Sequence, residues 1–224
     1  DAKKPGDLWF GADPLDEGVD TARYSGSIFE LRVYTNRLFT VAEQRQLVKK
    51  VLKDYDAPVL RIAKLDSGVL AEHAGTPGSF TSWTAPTPVT AAASWDADEI
   101  EGEDGAAVTA WASTDGAKSA TTTVSGKAAP KLAKNAVAGH AAVHFTSASK
   151  TALGLAKGDS PLSGKTSFTA AVVWRKTVKS PNGAVGGQQM GLVSSLVSSS
   201  KQPYFVLGTI SEDAMCATYG NETA

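Results

Sequence analysis

Only one stretch of this 224-residue chain, residues 40–55, spaces its apolar side chains as a helix does; elsewhere they come in short runs bounded by turn residues. A chain patterned in this way must bury its core by pairing strands. The best candidates are Val108-Thr109-Ala110-Trp111, Ala141-Ala142-Val143-His144-Phe145, the run from Phe168 to Trp174, Met190-Gly191-Leu192-Val193 and Tyr204-Phe205-Val206-Leu207. Small residues fill the intervals, as in Ser119-Ala120-Thr121-Thr122-Thr123, and suit turns between many short strands. With 42% hydrophobic and 20% charged residues the chain can form a real core, which excludes general disorder.

Near the start, Leu8-Trp9-Phe10 reads as a strand that stops at Gly11, and the acidic stretch from Asp13 to Asp20 as a loop. Alternation then sets in. In residues 27–35 the pattern places Phe29, Leu31 and Val33 on one face and Glu30 and Arg32 on the other. Thr40 followed by Glu43 is a capping box, and Val41, Leu47, Val48, Val51, Leu52 and Tyr55 form the apolar stripe of the helix it opens. Asp56-Ala57-Pro58 ends that helix, and the Gly/Pro punctuation of residues 75–78 and 85–88 marks a linker.

Charge and cysteine narrow the function classes. The 22 basic and 23 acidic residues nearly cancel, so no basic field is present to hold nucleic acid. No run reaches the roughly 18 apolar residues of a membrane helix, and Asp1-Ala2-Lys3-Lys4-Pro5-Gly6 carries no apolar stretch of signal type. Cys216 is the only cysteine, which removes disulfide frameworks; its apolar neighbours fit a small buried hydrophobe. A secreted or surface all-β protein is the expectation.

The segment Gly26-Ser27-Ile28-Phe29-Glu30-Leu31-Arg32-Val33-Tyr34-Thr35-Asn36-Arg37-Leu38, followed by Thr40-Val41-Ala42-Glu43, resembles the C-terminal end of bacterial laminin-G-like modules of the concanavalin A-like lectin/glucanase superfamily. In those modules a final strand bearing a glutamate and a tyrosine runs into a closing helix. Residues 96–174 resemble the beginning of the same module: an acidic turn, then Val108 to Trp111, Ala142-Val143-His144-Phe145, and the strand at Ser167-Phe168-Thr169. The order is reversed, closing elements first. The resemblance implies an all-β, concanavalin A-like jelly-roll sandwich with one peripheral α-helix at about residues 40–55, permuted or split between tandem modules. Residues 1–57 would be the closing strands and helix of one module, 58–91 a linker, and 92–224 the opening strands of a module. A half-sandwich leaves strand edges and half a core open, so neighbouring modules or subunits are expected to complete it by strand complementation, residues 8–56 of one unit meeting 92–224 of another, the alternative being that the permuted halves combine within one molecule. The implied function is a non-catalytic extracellular or cell-surface module for adhesion, glycan binding or assembly into repeat arrays or filaments, without a cofactor.

The acidic run Asp96-Ala97-Asp98-Glu99-Ile100-Glu101-Gly102-Glu103-Asp104-Gly105 offers the densest chemistry. Asp96, Asp98, Glu103 and Asp104 could converge on structural calcium, although Ile100 stands where an EF-hand loop needs an oxygen ligand. Glu99, Glu101 and Glu103 resemble a degraded form of the acidic strand motif of laminarinase-type glycoside hydrolases. That alternative needs two carboxylates on one strand face, about 5 to 5.5 Å apart, and Gly102 and the Asp104-Gly105 turn break its pattern. His140 and His144 would share a strand face about 13 Å apart, too far for one zinc, and His73 falls in the linker. Trp111 and Trp174 are expected in the core. Trp83, among polar and proline residues, is the candidate glycan-binding aromatic, and Asn221-Glu222-Thr223 is a glycosylation sequon.

Overall fold

Leu8 and Phe10 point inward and are fully buried on either side of the half-buried Trp9 in β1 (Leu8–Phe10), in a computed structural model that describes residues 7–12, 24–55, 90–156, 158–165, 167–176, 190–196, 203–209 and 215–219. The next strand, β2 (Gly26–Thr35), contains the alternating run, and α1 (Val41–Asp54) follows. Then come β3 (Ala93–Asp96), β4 (Ala110–Ala112), β5 (Ser119–Thr121), a one-turn α2 (Thr122–Ser125), β6 (Lys131–Val137), β7 (His140–Phe145), β8 (Leu153–Leu155), β9 (Phe168–Lys176), β10 (Met190–Leu196), β11 (Pro203–Thr209) and β12 (Met215–Tyr219). The described chain is therefore mostly antiparallel β-sheet with two helices, as expected of an all-β sandwich.

The strands make two sheets. One has seven strands in the order β12-β11-β10-β1-β8-β5-β4, and the other joins β3, β7, β6 and β9 around β2. In the first, β1 lies between β8 and β10: Phe10 stands opposite Leu153 on one side and Val193 on the other. In the second, β9 runs along one edge of β2 for its whole length, while β3 and β7 divide the other edge. Apolar side chains of both sheets meet in one core, including Leu8, Phe10, Trp111, Leu153 and Leu192 from the first and Ile28, Leu31, Trp95, Val143 and Phe145 from the second. Phe10 joins the layers, its ring edge-on to Trp95 at 5.4 Å and tilted against Trp111 at 5.8 Å between centroids.

This pairing follows the intramolecular alternative for the N-terminal strands. Both edges of β1 and both edges of β2 are filled by strands of residues 93–196 of the same chain. Residues 1–38 and 91–224 accordingly form one compact unit, and residues 39–90 another. The N-terminal strands can reach these places because an antiparallel neighbour can be delivered by a connection of any length that spans the gap.

A β-bulge alters the alternation read from residues 27–35. Ile28 stands opposite Trp174 and Glu30 opposite Val173, so Phe29 is an extra residue in β2. The core face therefore switches from Ile28 to Leu31 and Val33. Phe29 is buried at 2% exposure but outside the core cluster that holds the other three.

In the second unit the capping box forms as expected. The Thr40 backbone N–H donates to Glu43 Oε2 at 2.8 Å, and the Glu43 N–H donates to Thr40 Oγ1 at 3.3 Å. The apolar stripe is another matter, since Val41 is 61% and Val48 47% exposed. Periodicity tells which residues share a helix face but not which face is covered. The side chains of Val51 and Leu52 lie outside the described residues.

Candidate functional site

Where the acidic run begins, β3 has just paired with β2, Asp96 standing opposite Glu30. Asp96 then caps a single 3₁₀ turn, Ala97–Glu99, its carboxylate accepting the Asp98 N–H at 3.0 Å. That turn carries Asp98 to the start of β7, where one carboxylate oxygen accepts the Ala141 N–H at 2.6 Å and the other meets His140 Nδ1 at 2.5 Å. Further along, Asp104 accepts the Lys134 N–H at 2.9 Å, and the Lys134 ammonium donates to the Ile100 carbonyl at 3.2 Å. The Gly105 N–H reaches the Leu132 carbonyl at 2.8 Å. The acidic loop is thus stitched to β6 and β7 by its own carboxylates.

This geometry removes the strand on which the glycosidase alternative was built. Glu99 ends the 3₁₀ turn and Gly102 takes φ +136°, so Glu99, Glu101 and Glu103 do not alternate along a strand; all three are exposed. Nor do Asp96, Asp98, Glu103 and Asp104 gather: among the described residues no three His, Cys, Asp or Glu side chains are grouped to hold a metal. What the loop presents to solvent is a row of exposed carboxylates on a pinned backbone.

Two further polar clusters flank β2. On its own strand, Arg32 Nε donates to Glu30, which is buried to 8% exposure. Burial opposes the Arg32 charge, but hydrogen bonds to Glu30 and Tyr34 outweigh it and hold the guanidinium above its ordinary value. Across the β2–β7 pair, Ser27 Oγ meets His144 Nδ1 at 3.1 Å; burial, with the nearby positive Arg175, holds that imidazole below the usual range. Deeper, burial pushes the Tyr24 hydroxyl far above the phenol range, and the hydroxyl donates to the Arg175 carbonyl at 2.9 Å. His140 and His144 therefore serve different partners, one held by Asp98 and the other beside Ser27.

Trp111 is core, 1% exposed, with its indole N–H donating to the Asp96 carbonyl at 3.2 Å. Trp174 is half-buried against the core and meets Tyr24 edge-on at 6.2 Å. Trp95, in a run without a clear apolar period, is fully buried, and its Nε1 has no hydrogen-bond partner among the described residues. Trp83, His73 and Asn221 lie outside the described residues, and of Cys216 only its place in β12, opposite Gly208, is described.

If Asp98 pins the loop, Asp98→Ala should destabilise the chain by about 1 to 3 kcal/mol, because the buried Ala141 N–H loses its acceptor. Glu99→Ala should stay within about 0.5 kcal/mol. Urea denaturation of both variants measures the difference, and equal midpoints would refute the pinning role.

No protein-family model, no curated protein and no solved structure matches the chain.

Proposed function

We propose that this chain is a non-catalytic binding and assembly module of extracellular or cell-surface type, with a concanavalin A-like jelly-roll sandwich. The observation that supports it is the use made of the acidic loop. Asp96 accepts a backbone N–H that caps the turn, and Asp98 and Asp104 accept backbone N–H groups of β7 and β6 that hold the loop to the sheet, work that belongs to a scaffold rather than to proton transfer. The exposed Glu99 ends a 3₁₀ turn and the exposed Glu101 and Glu103 follow it outside any strand, so the three do not share one strand face. A two-sheet sandwich with loops held rigidly at its rim is a suitable platform for a glycan or a protein surface.

The test pairs binding with hydrolysis. The purified chain should be retained on an immobilised polysaccharide panel that includes β-glucans, release no reducing ends from it, and lose retention with Trp83→Ala while Glu99→Gln and Glu103→Gln leave retention unchanged. Release of reducing ends that vanishes in either glutamate variant would overturn this reading and favour the laminarinase-type alternative.

A further inference from the structure

We propose that the outer face of the second sheet carries a binding row for an acidic polysaccharide, built by Lys131, His144, Ser27 and Arg175. The register of four neighbouring strands puts these residues in line. Lys131 of β6 stands opposite His144 of β7, His144 opposite Ser27 of β2, and Ser27 opposite Arg175 of β9. The residues beside them along the strands, Leu132, Val143, Ile28 and Trp174, pack in or against the core, so the row itself points to the opposite face. Side-chain contacts agree with that placement. Ser27 Oγ meets His144 Nδ1 at 3.1 Å, and Arg175 reaches from β9 toward β6, its Nη1 donating to the Ala136 carbonyl at 3.3 Å.

The row is accessible and cationic. Lys131 and Arg175 are exposed and His144 is half-buried. Among the described residues neither Lys131 nor Arg175 joins an ion pair, and Glu30, next along β2 on this face, is held by Arg32. Burial, and after it the positive Arg175, hold the His144 imidazole below its usual range, and no carboxylate of the described residues offsets them. An anion arriving here meets positive charge that no acid of the described fold neutralises.

The layout selects the ligand. The donors run across four strands, about 14 Å from end to end at the backbone, more than one phosphate or sulfate ion can line. Between the two cations stand an imidazole and a hydroxyl, so the row matches a chain that carries anionic groups at intervals with hydroxyls between them. An acidic polysaccharide has that composition. Its carboxylates or sulfate esters accept charge-assisted hydrogen bonds from the guanidinium and the ammonium, and the paired strands hold the donors in place before it binds.

The proposal rests on the reading of the chain as a glycan-binding module, and the experiment separates the two. Titration calorimetry of the 224-residue chain with alginate, which carries carboxylates, and with dextran sulfate should show binding to at least one. Binding to alginate alone assigns carboxylates as the recognised groups, and binding to dextran sulfate alone assigns sulfate esters. Lys131→Gln with Arg175→Gln should raise the dissociation constant at least about tenfold, through the loss of two charge-assisted hydrogen bonds. Lys118→Gln with Lys127→Gln removes the same charge beside β5 and α2 and should leave binding unchanged. In the parent chain the His144 ring signals should move in NMR spectra on adding the bound polysaccharide, a readout that needs no variant. Binding to neither polymer, equal losses in the two double variants, unmoved His144 signals, or inorganic sulfate binding as tightly as the polymer would each overturn the proposal. Retention on neutral β-glucans and its dependence on Trp83 report on the module reading, so that retention persisting without acidic binding sinks this proposal alone.

Discussion

Replacing Gly11 by alanine should destabilise the fold by about 2 to 5 kcal/mol, the sum of a left-handed backbone and an overpacked contact. Gly11 ends β1 at φ +78°, and a Cβ there would stand 2.1 Å from Phe145 Cδ1. The ring cannot retreat easily, since Phe145 is fully buried and packs against Tyr24, with ring centroids 6.4 Å apart. Gly105 supplies the matched control: it has the same φ of +78° with nothing within 4 Å of the added atom. Gly105→Ala should therefore show the backbone part alone, about 1 to 2 kcal/mol. For a chain of this size the Gly11 variant should melt roughly 4 to 20 °C lower. If Phe145 is the obstacle, the penalty for Gly11→Ala shrinks when Phe145 is first replaced by leucine, a coupling that a double-mutant cycle reads directly. Equal losses for the two glycine variants would show that Phe145 is not in the way.

Much of the framework was legible where local chemistry decides it. Gly11 as a strand stop, the Thr40–Glu43 capping box and the strands at Ala141–Phe145 and Phe168–Trp174 each depend on residues close in sequence, and each has its counterpart in the fold. Ser119–Thr121, Leu153–Leu155 and Lys131–Val137 were not legible. They are short or polar strands that take their conformation from partners: Leu153–Leu155 lies between β1 and β5, and Lys131–Val137 between β7 and the acidic loop. The alternation of residues 27–35 predicts a strand, which β2 is, but its phase shifts at Phe29, because a bulge depends on the opposing strand and leaves no local signature.

The candidate site was less legible than the framework. Alternating acids at Glu99, Glu101 and Glu103 satisfy a period-2 pattern on paper, yet Asp96 caps a turn that abolishes the strand. Asp98 and His140 are 42 positions apart and meet only because β3 and β7 both pair with β2. Glu30 and Arg32 were placed on one strand face by alternation, and there they form an ion pair.

A chain lacking residues 1–38 should not fold cooperatively. Without β1, the paired edges of β8 and β10 are left open across the first sheet; without β2, β9 loses its described strand partner and β3 and β7 lose the strand that joins them. Leu8, Phe10, Ile28, Leu31 and Val33, all fully buried, leave the core with these strands. Each such loss alone costs about 2 to 5 kcal/mol, so together they exceed the roughly 5 to 15 kcal/mol that holds a typical domain folded. Residues 90–224 expressed alone should show no single cooperative melting transition.

The most direct measurement is to supply the missing strands as a separate chain. Residues 1–57 carrying an affinity tag and residues 90–224 without one should co-purify in equal amounts, with β-rich circular dichroism and one cooperative thermal transition, because β1 and β2 fill places bounded on both edges by strands of the longer piece. Two pieces that purify independently, with residues 90–224 folded and cooperative alone, would contradict the claim that the N-terminal strands complete both sheets of their own chain.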